Sequence, residues 1–187
     1  MKYTVVLDAC VLVPMPLCDT LLRLAEEPAS YRPVWSEQIL LEVGNALEKK
    51  LKRTAFQRRR RLHAMRSAFP DAEVDVPVDL AEAITCIPDP NDRHVVAAVI
   101  SGAADAIVTF NVRHFPLECI RRYGVSCQTP DQFLVRQFHL APELTLEKLD
   151  SQAAAQSFAD FLKTAPDEGG VTLDRDSIGV AEVLAHA

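Results

Sequence analysis

Hydrophobic residues in this chain fall into two patterns: short β-branched runs, and longer stretches where they recur every three or four positions. Tyr3-Thr4-Val5-Val6-Leu7, closed by Asp8, fits a buried strand, because β-branched and aromatic side chains pack well on a pleated surface. Residues 9–16 read as a loop, and Leu17, Leu21, Leu22 and Leu24 at helical spacing predict a helix after it. Residues 32–35 read as a short second strand. Ser36 then starts a helix with Ile39, Leu40, Val43, Leu47 and Leu51 on one stripe and Glu42 at its edge. Residues 55–68 continue helically until Pro70 and Pro77 break the pattern, and Asp79 with Glu82 has the form of a capping box opening a short helix.

The second half repeats the alternation. A loop carrying Asp89 and Asp92 leads to an Ala/Val helix over 92–101, with Gly102 as its C-terminal stop, and then to a strand over 106–110. A short helix ended by Gly124, a strand over 125–128, and a helix capped by Thr129 and Gln132 with Pro130 at its first position complete the series. Strands alternating with helices predict an α/β fold: a parallel sheet in a three-layer α/β/α sandwich with right-handed crossovers. The sheet domain is expected over 1–138. Over 139–187 the composition shifts to Ala, Leu, Asp and Glu, which predicts a small C-terminal helical extension.

A length of 187 residues suits one such domain with an appendage. The apolar run at the N-terminus is too short for a signal sequence, and no stretch approaches the roughly 20 apolar residues of a membrane span, so the expectation is a cytoplasmic protein without a membrane partner. Five cysteines, odd in number and without a Cys-x-x-Cys pair, predict buried reduced thiols rather than a disulfide framework or a zinc site. The net charge of −6 conceals a strong asymmetry, because residues 49–66 hold nine basic side chains and no acid. Within that run Lys49, Lys50, Lys52, Arg53, Arg58, Arg59, Arg60 and Arg61 form a candidate RNA-binding face, since unopposed cations repel one another until a phosphate backbone, or the acidic surface of a protein partner, offsets them.

Ligands of open α/β sheets gather at the carboxyl ends of the strands. Asp8 ends the first strand, Asn111 follows the later one, Asp92 opens the helix between, and Glu42 lies on the second helix, so four oxygen-bearing side chains can meet at one edge. Carboxylates brought together repel, and hard cations such as Mg²⁺ or Mn²⁺ relieve that repulsion with oxygen ligation. Asp8, Glu42 and Asp92 are the expected metal ligands and, with Asn111, the expected catalytic set. Asp89 and Thr109 are placed behind them in support. His94 and His114, lone histidines without ligand spacing, read as structural. Metal ions at such an edge suit hydrolysis of a phosphodiester.

The segments "VVLDACVLVP", "SEQILLEVGNAL" and "DPNDRHVVAAVISGAADAIVTFNVRHFP" resemble the signature segments of the PIN-domain family, and in particular of VapC-type toxin ribonucleases of type II toxin–antitoxin systems. The resemblance covers roughly residues 3–135. It implies a PIN-like fold and a Mg²⁺- or Mn²⁺-dependent endoribonuclease whose ligands map onto Asp8, Glu42 and Asp92. The family's fourth position, often Asp, maps onto Asn111. The resemblance further implies a cognate antitoxin and a homodimer. The alternative is a catalytically weakened PIN scaffold that binds RNA or protein without cutting, and Asn111 is the residue that favours it.

Overall fold

The computed structural model describes residues 2–164 of the chain. Five strands, β1 (Thr4–Leu7), β2 (Arg32–Ser36), β3 (Glu73–Val74), β4 (Ala106–Val108) and β5 (Ser126–Gln128), form one parallel sheet in the order β3-β2-β1-β4-β5. Helices α1 (Ala9–Leu12), α2 (Met15–Ala25), α3 (Glu37–Lys49), α4 (Ala55–Ala68), α5 (Val78–Ala83), α6 (Arg93–Gly102), α7 (Leu117–Arg122), α8 (Pro130–Leu140) and α9 (Pro142–Thr164) flank it, as the α/β/α expectation requires. The central β1 is sealed on both faces: Val5, Val6 and Leu7 are inaccessible to solvent. A near-continuous apolar run is the signature of a parallel strand covered from both sides.

Local chemistry sets several boundaries. Ser36 caps α3 by accepting from the Ile39 amide, and Thr129 with Gln132 forms the full capping box of α8. Gly124 takes φ +70 after α7, where a Cβ would be strained.

Five expectations are corrected. Residues 9–12 form a helical turn, not a loop, because α1 packs against α2 and α3. A second capping box, Thr54 with Gln57, separates α4 from α3. Residues 73–74, read only as a break, add the edge strand β3 beside β2. Asp79 caps nothing: α5 starts after Pro77 and its N-terminus has no side-chain cap. Gly102 is the last residue of α6 rather than its stop, and Ala103 takes the left-handed turn at φ 47. The glycine is required by packing, since a Cβ there would stand 2.8 Å from Val34 Cγ1.

The thiol expectation is also corrected at one pair. Cys86 and Cys119 are joined by a disulfide, because α7 folds back beside the loop preceding α6 and brings their Cα atoms to 5.5 Å. Cys10, Cys18 and Cys127 are free thiols.

The C-terminal helix α9 lies on α2 and α8. Arg23, buried on α2 and paired with Asp19 at 3.0 Å, also donates to Ser151 Oγ, and Gln152 Nε2 donates to the Pro16 carbonyl at 3.0 Å. Of the expected extension over 139–187, residues 139–140 end α8, residues 142–164 form α9, and the part beyond 164 lies outside the described residues. No described helix is long and apolar enough to cross a membrane.

Candidate active site

The parallel register builds the carboxyl edge. Leu7 pairs with Val108, so the next residues, Asp8 and Thr109, stand side by side, with the Asp8 amide donating to the Val108 carbonyl at 3.1 Å. Asp8 is 7% exposed, and its carboxylate accepts from Thr109 Oγ1 at 2.6 Å and from Cys10 Sγ at 3.1 Å. The Thr109 hydroxyl also accepts from the Asn111 amide at 3.0 Å, which directs its one proton to Asp8. A hydroxyl held in this way fixes the carboxylate's orientation without supplying a positive charge.

Asp92 closes a 3₁₀ turn, Pro90–Asp92, and stands at the N-cap position of α6 without capping it. Its carboxylate instead lies 3.0 Å from His114 Nδ1. Burial raises the Asp92 pKa above its ordinary value; His114 opposes that shift, while the charges of Asp89 and Asp8 reinforce it. Asp8 and Asp92 therefore feel each other across the edge. Asp89 caps the 3₁₀ turn, accepting from the Asn91 amide at 2.9 Å and from Asn91 Nδ2 at 3.0 Å.

Glu42, on α3, is bonded to His94 Nε2 on α6 at 2.9 Å. The pair lines a cleft of about 460 Å³ that is also walled by Leu41, Val76, Pro77 and Asn91. His94 and His114 thus each hold one of the acids named as metal ligands, a role that reading them as structural histidines missed. Asn111 contributes its backbone amide to Thr109 and is half-buried. Among the described residues no three His, Cys, Asp or Glu side chains close round a common point where an ion would sit. Asp8 and Asp92 share the edge, while Glu42 turns toward His94.

The donor chemistry nevertheless suits a hard cation. Among the described residues, none of Asp8, Glu42 and Asp92 forms an ion pair with Lys or Arg, although Asp19, Glu48 and Glu73 do. The site offers carboxylate oxygens that no Lys or Arg pairs with among the described residues, and hard divalent ions take such ligands. The thiols beside it stay protonated at neutral pH: burial, then the Asp8 charge, pushes Cys10 up to about 11 and Cys127 to about 12.

The basic run divides. Lys49, Lys50, Lys52, Arg53, Arg59 and Arg60 are exposed. Arg58 is half-buried and pairs with Glu48 at 2.8 Å. Arg61 corrects the expectation: it is 3% exposed, with its guanidinium donating to the Leu12 and Val13 carbonyls, and so faces the core instead of solvent.

Comparison with known proteins agrees with the architecture. The family model described as PIN domain matches residues 4–113, more than half of the 187-residue chain. A 54-residue stretch is 43% identical to the protein named "Putative ribonuclease VapC50" of Mycobacterium tuberculosis (strain ATCC 25618 / H37Rv), covering 29% of this chain and 32% of that protein. The match thus spans about a third of the curated relative's length.

Proposed function

The chain belongs to the PIN-domain family, and from that premise we propose that it is a metal-dependent endoribonuclease, the toxin of a toxin–antitoxin pair, acting in the cytoplasm. The observation that carries the reading is the Asp8–Asp92 edge: two partly buried carboxylates, close enough for the charge of one to oppose that of the other, with no Lys or Arg paired to either among the described residues. A fold tolerates such a cost where a ligand offsets it.

Asp8 and Asp92 would hold Mg²⁺ or Mn²⁺, and Glu42, bonded to His94 in this structure, would be the third ligand. The ion would lower the pKa of a water for attack at phosphorus and offset the charge gathering on the phosphate oxygens. The chain's own residues prepare the site. Thr109 keeps Asp8 oriented, with Asn111 fixing the direction of that hydroxyl proton. His114 orients Asp92, and His94 orients Glu42. Asp89 shapes the turn that presents Asp92. The exposed cations from Lys49 to Arg60 would hold the RNA backbone, a sequence-independent and salt-sensitive interaction.

The relative's name speaks of a ribonuclease, which supports RNA as substrate here; a cognate antitoxin and a second copy of the chain would be its partners. Residues 1–138 would be the nuclease domain. Residues 139–187 would be an extension that braces α2 through Arg23, Ser151 and Gln152.

Cleavage of a mixed RNA substrate with Mg²⁺, Mn²⁺ or excess chelator tests the reading. Wild type cuts only with metal, and Asp8→Asn and Asp92→Asn abolish cutting while the circular dichroism spectrum is unchanged. Equal cutting by all three proteins, or none by folded, metal-supplied wild type, overturns it. The second outcome favours the binding-module alternative, which the Glu42–His94 bond and Asn111 would then explain.

A further inference from the structure

One loop links both carboxylates of the edge. At residue 109 the Thr109 hydroxyl donates to Asp8 at 2.6 Å, and at residue 114 the His114 ring meets Asp92 at 3.0 Å. Between these anchors stands Phe110, 54% exposed, next to Thr109 at 0%. The Phe110 amide donates to Cys10 Sγ at 3.3 Å and the Asn111 amide to Thr109 Oγ1 at 3.0 Å, so the backbone on both sides of the ring is fixed. The chain leaves β4 at Val108, and Thr109 stays buried while Phe110, two residues past the strand, is exposed. Other exposed apolar side chains, such as Phe56, Leu117 and Phe138, lie on helices; Phe110 lies on the segment that touches Asp8 and Asp92. Arg113, exposed, follows on the same loop's 3₁₀ turn, Val112–His114.

We propose that Phe110 is a stacking platform for one unpaired base of the RNA beside the scissile phosphate, with the Arg113 guanidinium meeting a neighbouring phosphate. The proposal rests on the ribonuclease reading and gives that site a substrate class. An aromatic ring recognises the face of any base and so does not select sequence. It does select strand state, because bases in an A-form duplex are stacked on each other and present no free face, whereas loops, bulges and ends do. A rigid backbone under the ring keeps the ordering cost of binding small. The platform complements α4: the exposed cations there would grip phosphates of any strand, and Phe110 would admit only a strand that can splay a base.

The test compares two ligands of equal length and charge, a short single-stranded oligo(A) and the corresponding abasic ribose-phosphate, with wild type, Phe110→Ala and Phe110→Trp. Affinity is read by fluorescence anisotropy in excess chelator, so that no catalysis is needed. Wild type and Phe110→Trp favour oligo(A) by about tenfold, the usual size of one stacked base. Phe110→Ala binds both ligands alike, at the abasic level, with the salt slope unchanged. A Phe110→Ala protein that keeps the preference overturns the proposal, as does a wild type with no preference. Loss of both ligands in Phe110→Ala, with Phe110→Trp no better, also overturns it. Equal RNA binding by all three proteins overturns it likewise. The two readings separate cleanly: a base preference without metal-dependent cleavage sinks the ribonuclease and keeps the platform, and cleavage without the preference does the reverse.

Discussion

Arg61→Ala and the pair Arg59→Ala and Arg60→Ala should have opposite consequences, although all three residues belong to one run of four arginines. Arg61 is 3% exposed and supplies charged donors to the carbonyls of Leu12 and Val13, where α1 ends. A hydrogen bond to a charged group contributes about 1.5–3 kcal/mol, and removing the donor leaves the acceptors without a partner. The buried stem adds a cavity penalty, while relief of the guanidinium's own desolvation works the other way. The net loss for Arg61→Ala is about 3 kcal/mol, which in a protein of this size lowers Tm by roughly 10 °C. Arg59 and Arg60 are exposed, and surface truncations of that kind change stability by no more than about 0.5 kcal/mol.

Binding to single-stranded RNA reverses the ranking. Removing one arginine–phosphate interaction should flatten the dependence of log K on log salt by about 0.7, so Arg59→Ala and Arg60→Ala each lower the slope and Arg61→Ala leaves it alone. Arg61→Ala should still reduce cleavage, because the carbonyls it holds lie four and five residues beyond Asp8 on the same short helix and turn. Arg61→Met separates the causes by restoring apolar volume without the donors, and its Tm should fall between wild type and Arg61→Ala. Thermal denaturation, with anisotropy titrations at several salt concentrations, gives both readouts. An Arg61→Ala protein that keeps its Tm and loses salt slope would refute the placement of Arg61 in the core.

Three further outcomes are expected. Gly102→Ala should destabilise the fold by about 1–2 kcal/mol in urea titration: overpacking against Val34, whose Cγ1 lies 2.8 Å from the new Cβ, outweighs the propensity gain of at most about 1 kcal/mol. Thr109→Val should cost about 2–4 kcal/mol and most of the cleavage rate, since Asp8 loses its 2.6 Å donor and the Asn111 amide its acceptor, whereas Thr109→Ser should retain both. Burial raises the Glu26 pKa above 4.5, so the folded chain holds that proton more tightly than the unfolded chain, and stability falls as pH rises from about 4.5 through the folded value. Glu26→Gln should therefore have the higher Tm at neutral pH and lose its advantage below that window, and an advantage that persists in acid would contradict the sign.

The parts of the fold legible in the sequence are those whose pattern is long or chemically marked. The β1, β2, β4 and β5 runs, the α3 stripe and the Thr129–Gln132 box each carry a local cause of their structure. The β3 strand, two residues long, has no period to read and exists only because β2 offers an edge. The four residues of α1 fold against α2 and α3 and have no caps of their own. Cys86 and Cys119 stand 33 residues apart with nothing between them to announce a pairing. Arg61 did carry a signal: it precedes Met65, the buried methionine of α4, by four residues and so shares its inward face. Asp8 and Asp92 are legible as a strand end and a helix start, and Glu42 as an acid at the edge of the α3 stripe, but the histidine assigned to each of two acids depends on how α3, α6 and the loop after β4 meet in space.

Those histidines bear on the chemistry of the edge through charge. Among the described residues Lys2, Arg23, Arg58 and Arg66 pair with Glu27, Asp19, Glu48 and Glu73, while no Lys or Arg pairs with Asp8, Glu42 or Asp92. These three receive a hydroxyl and a thiol, an imidazole, and an imidazole, respectively. The hydroxyl and the thiol orient Asp8 without supplying a positive charge, and each imidazole meets its acid through one ring nitrogen, where a guanidinium could pair with both oxygens. The penalty appears where burial and the neighbouring acids Asp89 and Asp8 raise the Asp92 pKa. Oriented acids without a Lys or Arg partner suit a hard cation, because no fixed guanidinium or ammonium has to be displaced. That none of the three acids has a Lys or Arg partner among the described residues supports the proposed metal-using edge independently of Asn111.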